Sequence, residues 1–156
     1  NHAAFPFKSQ STEKFYIVGG DEWFPWRYPG KPRPYQPRGG FHFLDFTDIE
    51  NPKEEAVYTI TEAGSHNHWI QGDTLIAAYY NAGLRIVDIS GDLLGDLYRQ
   101  GREIAFYMSS QTDGHIPNST NVWGAIPYKG LIYFTDMYSG LYCVKLVDKQ
   151  IDPASP

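Results

Sequence analysis

Apolar residues fall in short runs along this chain, and polar, glycine- or proline-bearing stretches separate them. Phe15-Tyr16-Ile17-Val18, Leu75-Ile76-Ala77-Ala78-Tyr79-Tyr80 and Leu131-Ile132-Tyr133-Phe134-Thr135 are such runs. A second kind of run follows each of them. Gly40-Phe41-His42-Phe43-Leu44-Asp45-Phe46 reappears as Gly83-Leu84-Arg85-Ile86-Val87-Asp88-Ile89 and again as Gly140-Leu141-Tyr142-Cys143-Val144-Lys145-Leu146. The intervals are 43 and 57 residues, so the second carries an insertion of 14. No long stretch has a helical period, and the lengths suit strands. A repeat of this size predicts small sheets that cannot bury their faces alone and must stack on one another.

The remaining apolar segments complete the unit. Short segments at His2–Phe7, His66–Ile70 and Asn121–Ile126 precede the first runs, and Ala56–Ile60 and Glu103–Tyr107 follow the first two phrases. Turn residues such as Gln71-Gly72-Asp73 and Tyr128-Lys129-Gly130 separate neighbouring segments. In the second phrase Leu84 and Ile86 occupy one face of the strand, and Val87 and Ile89 the other. A strand apolar on both faces belongs to a sheet sandwiched between neighbours. The expected fold is all-β: about three four-stranded antiparallel blades of a β-propeller, at about 2–60, 66–108 and 121–146, with a tail at 147–156.

The phrase Gly83–Ser90 resembles the hallmark of LVIVD-repeat β-propellers, a group that includes bacterial surface proteins of the choice-of-anchor type. Gly40–Asp48 with Asn51-Pro52, and Asp136–Tyr142, resemble it too. The last repeat departs from the pattern, with Lys145 where Asp45 and Asp88 stand earlier. The resemblance implies the fold and says little about activity. Propellers close with about 4–8 blades, so three imply the C-terminal part of a longer propeller, or a ring completed by another chain.

Composition narrows the function classes. Twelve Tyr, nine Phe and four Trp beside 15 Gly and 11 Pro reinforce the all-β reading. The net charge of −5 provides no basic field for nucleic acid. No apolar run is long enough to span a membrane as a helix. The lone Cys143 cannot pair within the chain, and its strand position reads as an inert thiol. The chain begins at Asn1 without a visible leader, which predicts a mature, trimmed or partly observed chain. This composition favours an exported, periplasmic or cell-surface location. Nucleophile-elbow, phosphate-loop and dinucleotide signatures are absent. Ser109, Ser110 and His115 lack an orienting acid beyond Asp113. No catalytic residue is assigned.

Two candidate sites remain. Blade topology sends the long connections 21–39 and 109–120 to one edge, where function is expected. The first is a proline-rich strap with five aromatic residues and a local charge of +2. Trp23, Phe24, Trp26, Arg27, Tyr28, Arg33 and Tyr35 are its candidate partner-binding residues, suited to docking a protein, including a membrane-associated complex. Exposed Trp and Tyr also suit sugar rings or a headgroup layer, or they seal the blade edge instead. The second candidate is metal binding. His66 and His68 alternate onto one side of a strand, with His115 and Asp21 expected near the same rim, where His2, Glu22 and Asp136 also emerge. Such a cluster suits Zn²⁺ or Cu²⁺ if imidazole-rich and Ca²⁺ if oxygen-rich. Alternatively, these polar residues satisfy backbone groups at strand starts. The leading expectation is a non-enzymatic scaffold without a cofactor; the alternative is a metal-binding or metal-dependent propeller. Asp45 and Asp88, at matching strand ends, read as turn caps, and His42 as structural.

Overall fold

The computed structural model describes residues 2–24 and 37–147. They form an all-β structure of three sheets, with no helix among them; nothing among them could cross a membrane as a helix. The first sheet contains β1 (Ala3–Lys8), β2 (Phe15–Gly20), β3 (Phe41–Asp45) and β4 (Lys53–Tyr58) in sequential antiparallel order. The second contains β5 (Ser65–Gln71), β6 (Thr74–Tyr79) and β7 (Gly83–Asp88). A two-residue strand, β8 (Gly95–Asp96), then reaches back to lie parallel to β4, and β9 (Glu103–Tyr107) closes the second sheet. The third holds β10 (Val122–Tyr128), β11 (Leu131–Asp136) and β12 (Gly140–Val144). No fourth strand joins it among the described residues.

The repeated phrase dictates the local structure. Each copy is the third strand of its sheet, and the partner strand carries a β-bulge opposite the same point, at Phe43/Leu44 and at Ile86/Val87. The turn after β10 has both Lys129 and Gly130 at positive φ, the conformation whose twist suits a two-residue hairpin. Gly83 has φ +78° and packs so tightly on β9 that a Cβ would lie 2.3 Å from the Tyr107 carbonyl oxygen, so no larger residue fits. Asp45 Oδ1 accepts from Thr47 N at 2.8 Å and Asp88 Oδ1 from Ser90 N at 2.9 Å, capping the turns as expected.

Packing follows from strands greasy on both sides. Leu75, Ala77 and Tyr79 of β6 join Val18, Phe41, Phe43 and Val87 in one core, between the first and second sheets. Ile76 and Ala78 point the other way, into a core with Leu84, Ile86, Val122 and Phe134 of the third sheet. Leu84 and Ile86 separate from Val87 and Ile89 as the alternation predicts. At one edge Asp73 accepts from Gln10 N and Ser11 N, both at 2.8 Å, and clasps the first turn of one sheet to that of the next. Sequence alternation gave no hint of β8. It is short and polar, held by Leu97 N donating to the Val57 carbonyl at 2.8 Å and by the buried side chains of Leu93 and Leu97.

His68 lies in the first core, edge-on to Phe41 at 4.8 Å between ring centres. Val18 passes beside it, yet neither ring nitrogen has a hydrogen-bond partner. Burial pushes its pKa down to about 4, against an opposing pull from the Val18 backbone. The unfolded ring titrates near 6.5, so its share of stability is complete above that pH and is lost as pH falls toward 4. Between pH 7 and 5 the loss is about 2 kcal/mol. The unfolding free energy of His68→Leu in urea should therefore change about 2 kcal/mol less over that interval than the wild type's. Equal pH dependence in the two proteins would refute the assignment.

Candidate functional site

Strand direction brings the ends of β2, β6 and β11 and the starts of β1, β5 and β10 to a common edge. Both long connections leave from it. The neck of the first is closed where Trp23 and Arg38 exchange backbone hydrogen bonds of 2.9 and 2.8 Å. Pro37 then lines a groove of ≈ 420 Å³ together with Asn81, Ile116 and Asn118, so the two connections flank one groove. Trp26, Arg27, Tyr28, Arg33 and Tyr35 lie outside the described residues. Of the strap candidates, Trp23 is exposed and Phe24 packs edge-on against Tyr80 at 5.2 Å.

The second connection is anchored by Asp136, the last residue of β11. Its Oδ2 accepts from Asn121 N at 2.8 Å, from Thr120 Oγ1 at 3.1 Å and from Ser109 Oγ. Its Oδ1 accepts from Tyr138 N at 2.7 Å and Ser139 N at 3.2 Å. Burial pushes its pKa up, but these donors outweigh burial and hold the carboxyl below its ordinary value. Asp136 therefore organises the loop, and its lone pairs are taken.

At this edge two bulges shape the geometry. The register of β5 slips between Ser65 and His68, and that of β10 between Val122 and Gly124, at the start of the first strand of each sheet. A bulge re-aims the side chain it carries. His66 accordingly turns to Trp123, with ring centres 5.0 Å apart and Nδ1 2.5 Å from the Trp123 carbonyl oxygen. A carbonyl only accepts, so Nδ1 carries the proton and Nε2 keeps its lone pair. The His2 ring lies tilted against His66 with centres 4.3 Å apart, and its Nδ1 is 2.9 Å from Glu22 Oε2. Glu22 Oε1 accepts from the Tyr80 hydroxyl. One ligand atom each from His2, Glu22 and His66 lie within 4.8 Å of one another. Burial lowers the pKa of His66, and His2 adds to this, while the Trp123 carbonyl and Glu22 pull the other way; the net direction is down, toward the neutral ring.

The structure thus separates the sequence candidates. His66 is in the cluster, and the group lies at the expected edge. His68 is not: it lies past the bulge, pairs regularly with Ala77 and turns into the core beside Phe5 and Phe41, while the bulge turns His66 elsewhere. His115 is on the second connection, its backbone N donating to the Tyr138 carbonyl at 2.7 Å. Asp21 lies 3.5 Å from His42 Nε2, and His42 also pairs with Glu54. His2 and Glu22 lack a motif because they converge only through pairing of β1 with β2. No family model, no curated protein and no solved structure matches this chain.

The Asp136 network yields a stability prediction. Asp136→Asn places an amide N–H₂ among donors and removes a charged acceptor from a buried site, which should cost about 2–3 kcal/mol in urea unfolding. A loss under ~0.5 kcal/mol, the scale of an ordinary surface substitution, would show that the loop is held by other contacts.

Proposed function

We propose that this protein is a non-enzymatic binding and scaffold module: a partial propeller that takes up a further sheet of the same kind and docks on a larger cell-envelope assembly by its long-loop edge. One observation carries the reading. In the first sheet the second and fourth residues of the phrase, Phe41 and Phe43, face the second sheet and are fully buried. In the second sheet Leu84 and Ile86 face the third and are buried. The matching pair in the third sheet is Leu141, 72% exposed, and Cys143, also exposed.

The strand beside the phrase follows suit. Ile76 and Ala78 pair with Ile86 and Leu84, as Tyr133 and Thr135 pair with Cys143 and Leu141. The position that meets a neighbour twice therefore has none the third time among the described residues. An apolar trough of ≈ 400 Å³ joins this face to the first strands of the other two sheets, lined by Ile126, Tyr133 and Leu141 together with Phe5 of β1 and Trp69 of β5. The occupant this face fits is a sheet with branched aliphatic residues where Leu75 and Val87, or Ile132 and Val144, meet the preceding sheet here. The LVIVD resemblance supports both the propeller and an exported location, and both long connections at one edge support docking there.

Cys143 reports on this face directly. In the protein isolated within its native assembly, Cys143 should resist maleimide labelling until urea dissociates the complex, and Leu141→Asp should remove that protection without lowering the melting temperature. Rapid labelling of undissociated wild-type assembly, as fast as after urea, would sink the reading.

A further inference from the structure

We propose that His2, Glu22 and His66 bind a divalent transition metal of the Zn²⁺ class at the long-loop edge of the stacked sheets. The inference does not depend on the docking reading. Three separate segments meet there: the residue ahead of β1, the loop after β2 and the bulge of β5. Their ligand atoms lie within 4.8 Å of one another. Ligands held at ~2.0–2.2 Å by a tetrahedral ion sit about 3.4 Å apart, so the side chains need to close by at most about 1.4 Å.

The donor set selects the class of ion. Two imidazole nitrogens and one carboxylate suit Zn²⁺, Cu²⁺, Co²⁺ or Fe²⁺, whereas Ca²⁺ and Mg²⁺ ask for oxygen alone. The surroundings resemble a metal site's orienting groups. The Trp123 carbonyl fixes His66 through Nδ1, which leaves Nε2 to ligate, and the Tyr80 hydroxyl holds Glu22 by Oε1, leaving Oε2. Metal-bound histidines commonly have the other ring nitrogen tethered to a carbonyl in this way. In the absence of an ion, Oε2 is engaged by His2, and a metal replaces that contact. Three protein ligands leave a fourth position for water or for an incoming group.

The test is a titration of EDTA-treated full-length protein carrying Cys143→Ser, which excludes the lone thiol. Zn²⁺ by calorimetry should show one saturable equivalent with micromolar or tighter affinity, and Co²⁺ should give a visible absorption band at the same stoichiometry. Glu22→Gln and His66→Gln should each weaken Zn²⁺ binding about 100-fold or more, while His115→Ala leaves it unchanged. Circular dichroism of each metal-free variant establishes that it is folded, and the wild-type titration is decisive without them. Absence of saturable binding of both Zn²⁺ and Co²⁺ overturns the proposal, and so does full affinity in both folded variants.

Discussion

Strand β6 has no polar face, and the architecture depends on that. Its residues from Leu75 to Tyr79 are all buried, with Leu75, Ala77 and Tyr79 turned to one neighbouring sheet and Ile76 and Ala78 to the other. Each fully buried aliphatic side chain contributes about 1.5–3 kcal/mol, a gain lost on whichever side is left to water. A sheet with such a strand at its centre has to be covered twice. The stack therefore grows by repetition, and its end faces inherit a demand that its middle has met.

This demand also decides where polar chemistry can sit. Faces are consumed by packing, so ionisable groups are pushed to the edges, where turns and connections run. The two edges then diverge. One carries short turns clasped by Asp73, which leaves little room for a ligand. The other receives both long connections, the Asp136 hub and the His2, Glu22 and His66 group. His68, neutral in the first core, and the set of Tyr58, Glu103 and Arg85 are exceptions within the stack. There Glu103 accepts from the Tyr58 hydroxyl and pairs with Arg85 at 3.1 Å, so no member of the set faces the interior alone.

Much of this was legible because repetition averages out local noise. Three copies of one phrase located the third strand of each sheet, and the split of Leu84 and Ile86 from Val87 and Ile89 located both cores. The common edge of the long connections followed from topology alone. What failed to show has a physical reason in each case. β8 is two residues long, and pairing across sheets rather than any local apolar period creates it. His66 and His68 looked equivalent because strict alternation places residues two apart on one side; one extra residue in β5 gives them different surroundings. Nothing in an apolar pattern marks a bulge, since the inserted residue can be of any type. His2 and Glu22 were visible as rim residues, but their convergence on His66 is a property of pairing across strands.

The same repeat positions explain why binding groups concentrate where they do. Asp45 and Asp88 occupy matching places and do one job, holding turns, so they say little about function. The starts of the first strand of each sheet also match one another, yet there the residues differ: His2 ahead of β1, His66 in β5, Trp123 in β10. One copy offers an imidazole to Glu22, the next a second imidazole, and the third only a carbonyl that orients it. Sameness across repeats builds the stack. Difference at equivalent positions lets His2, Glu22 and His66 converge once rather than three times, because each neighbouring sheet contributes something the others do not. By the same logic Leu141 keeps the repeat's apolar character while, among the described residues, it lacks the repeat's neighbour, so the demand that β6 meets on both sides is left open on this face.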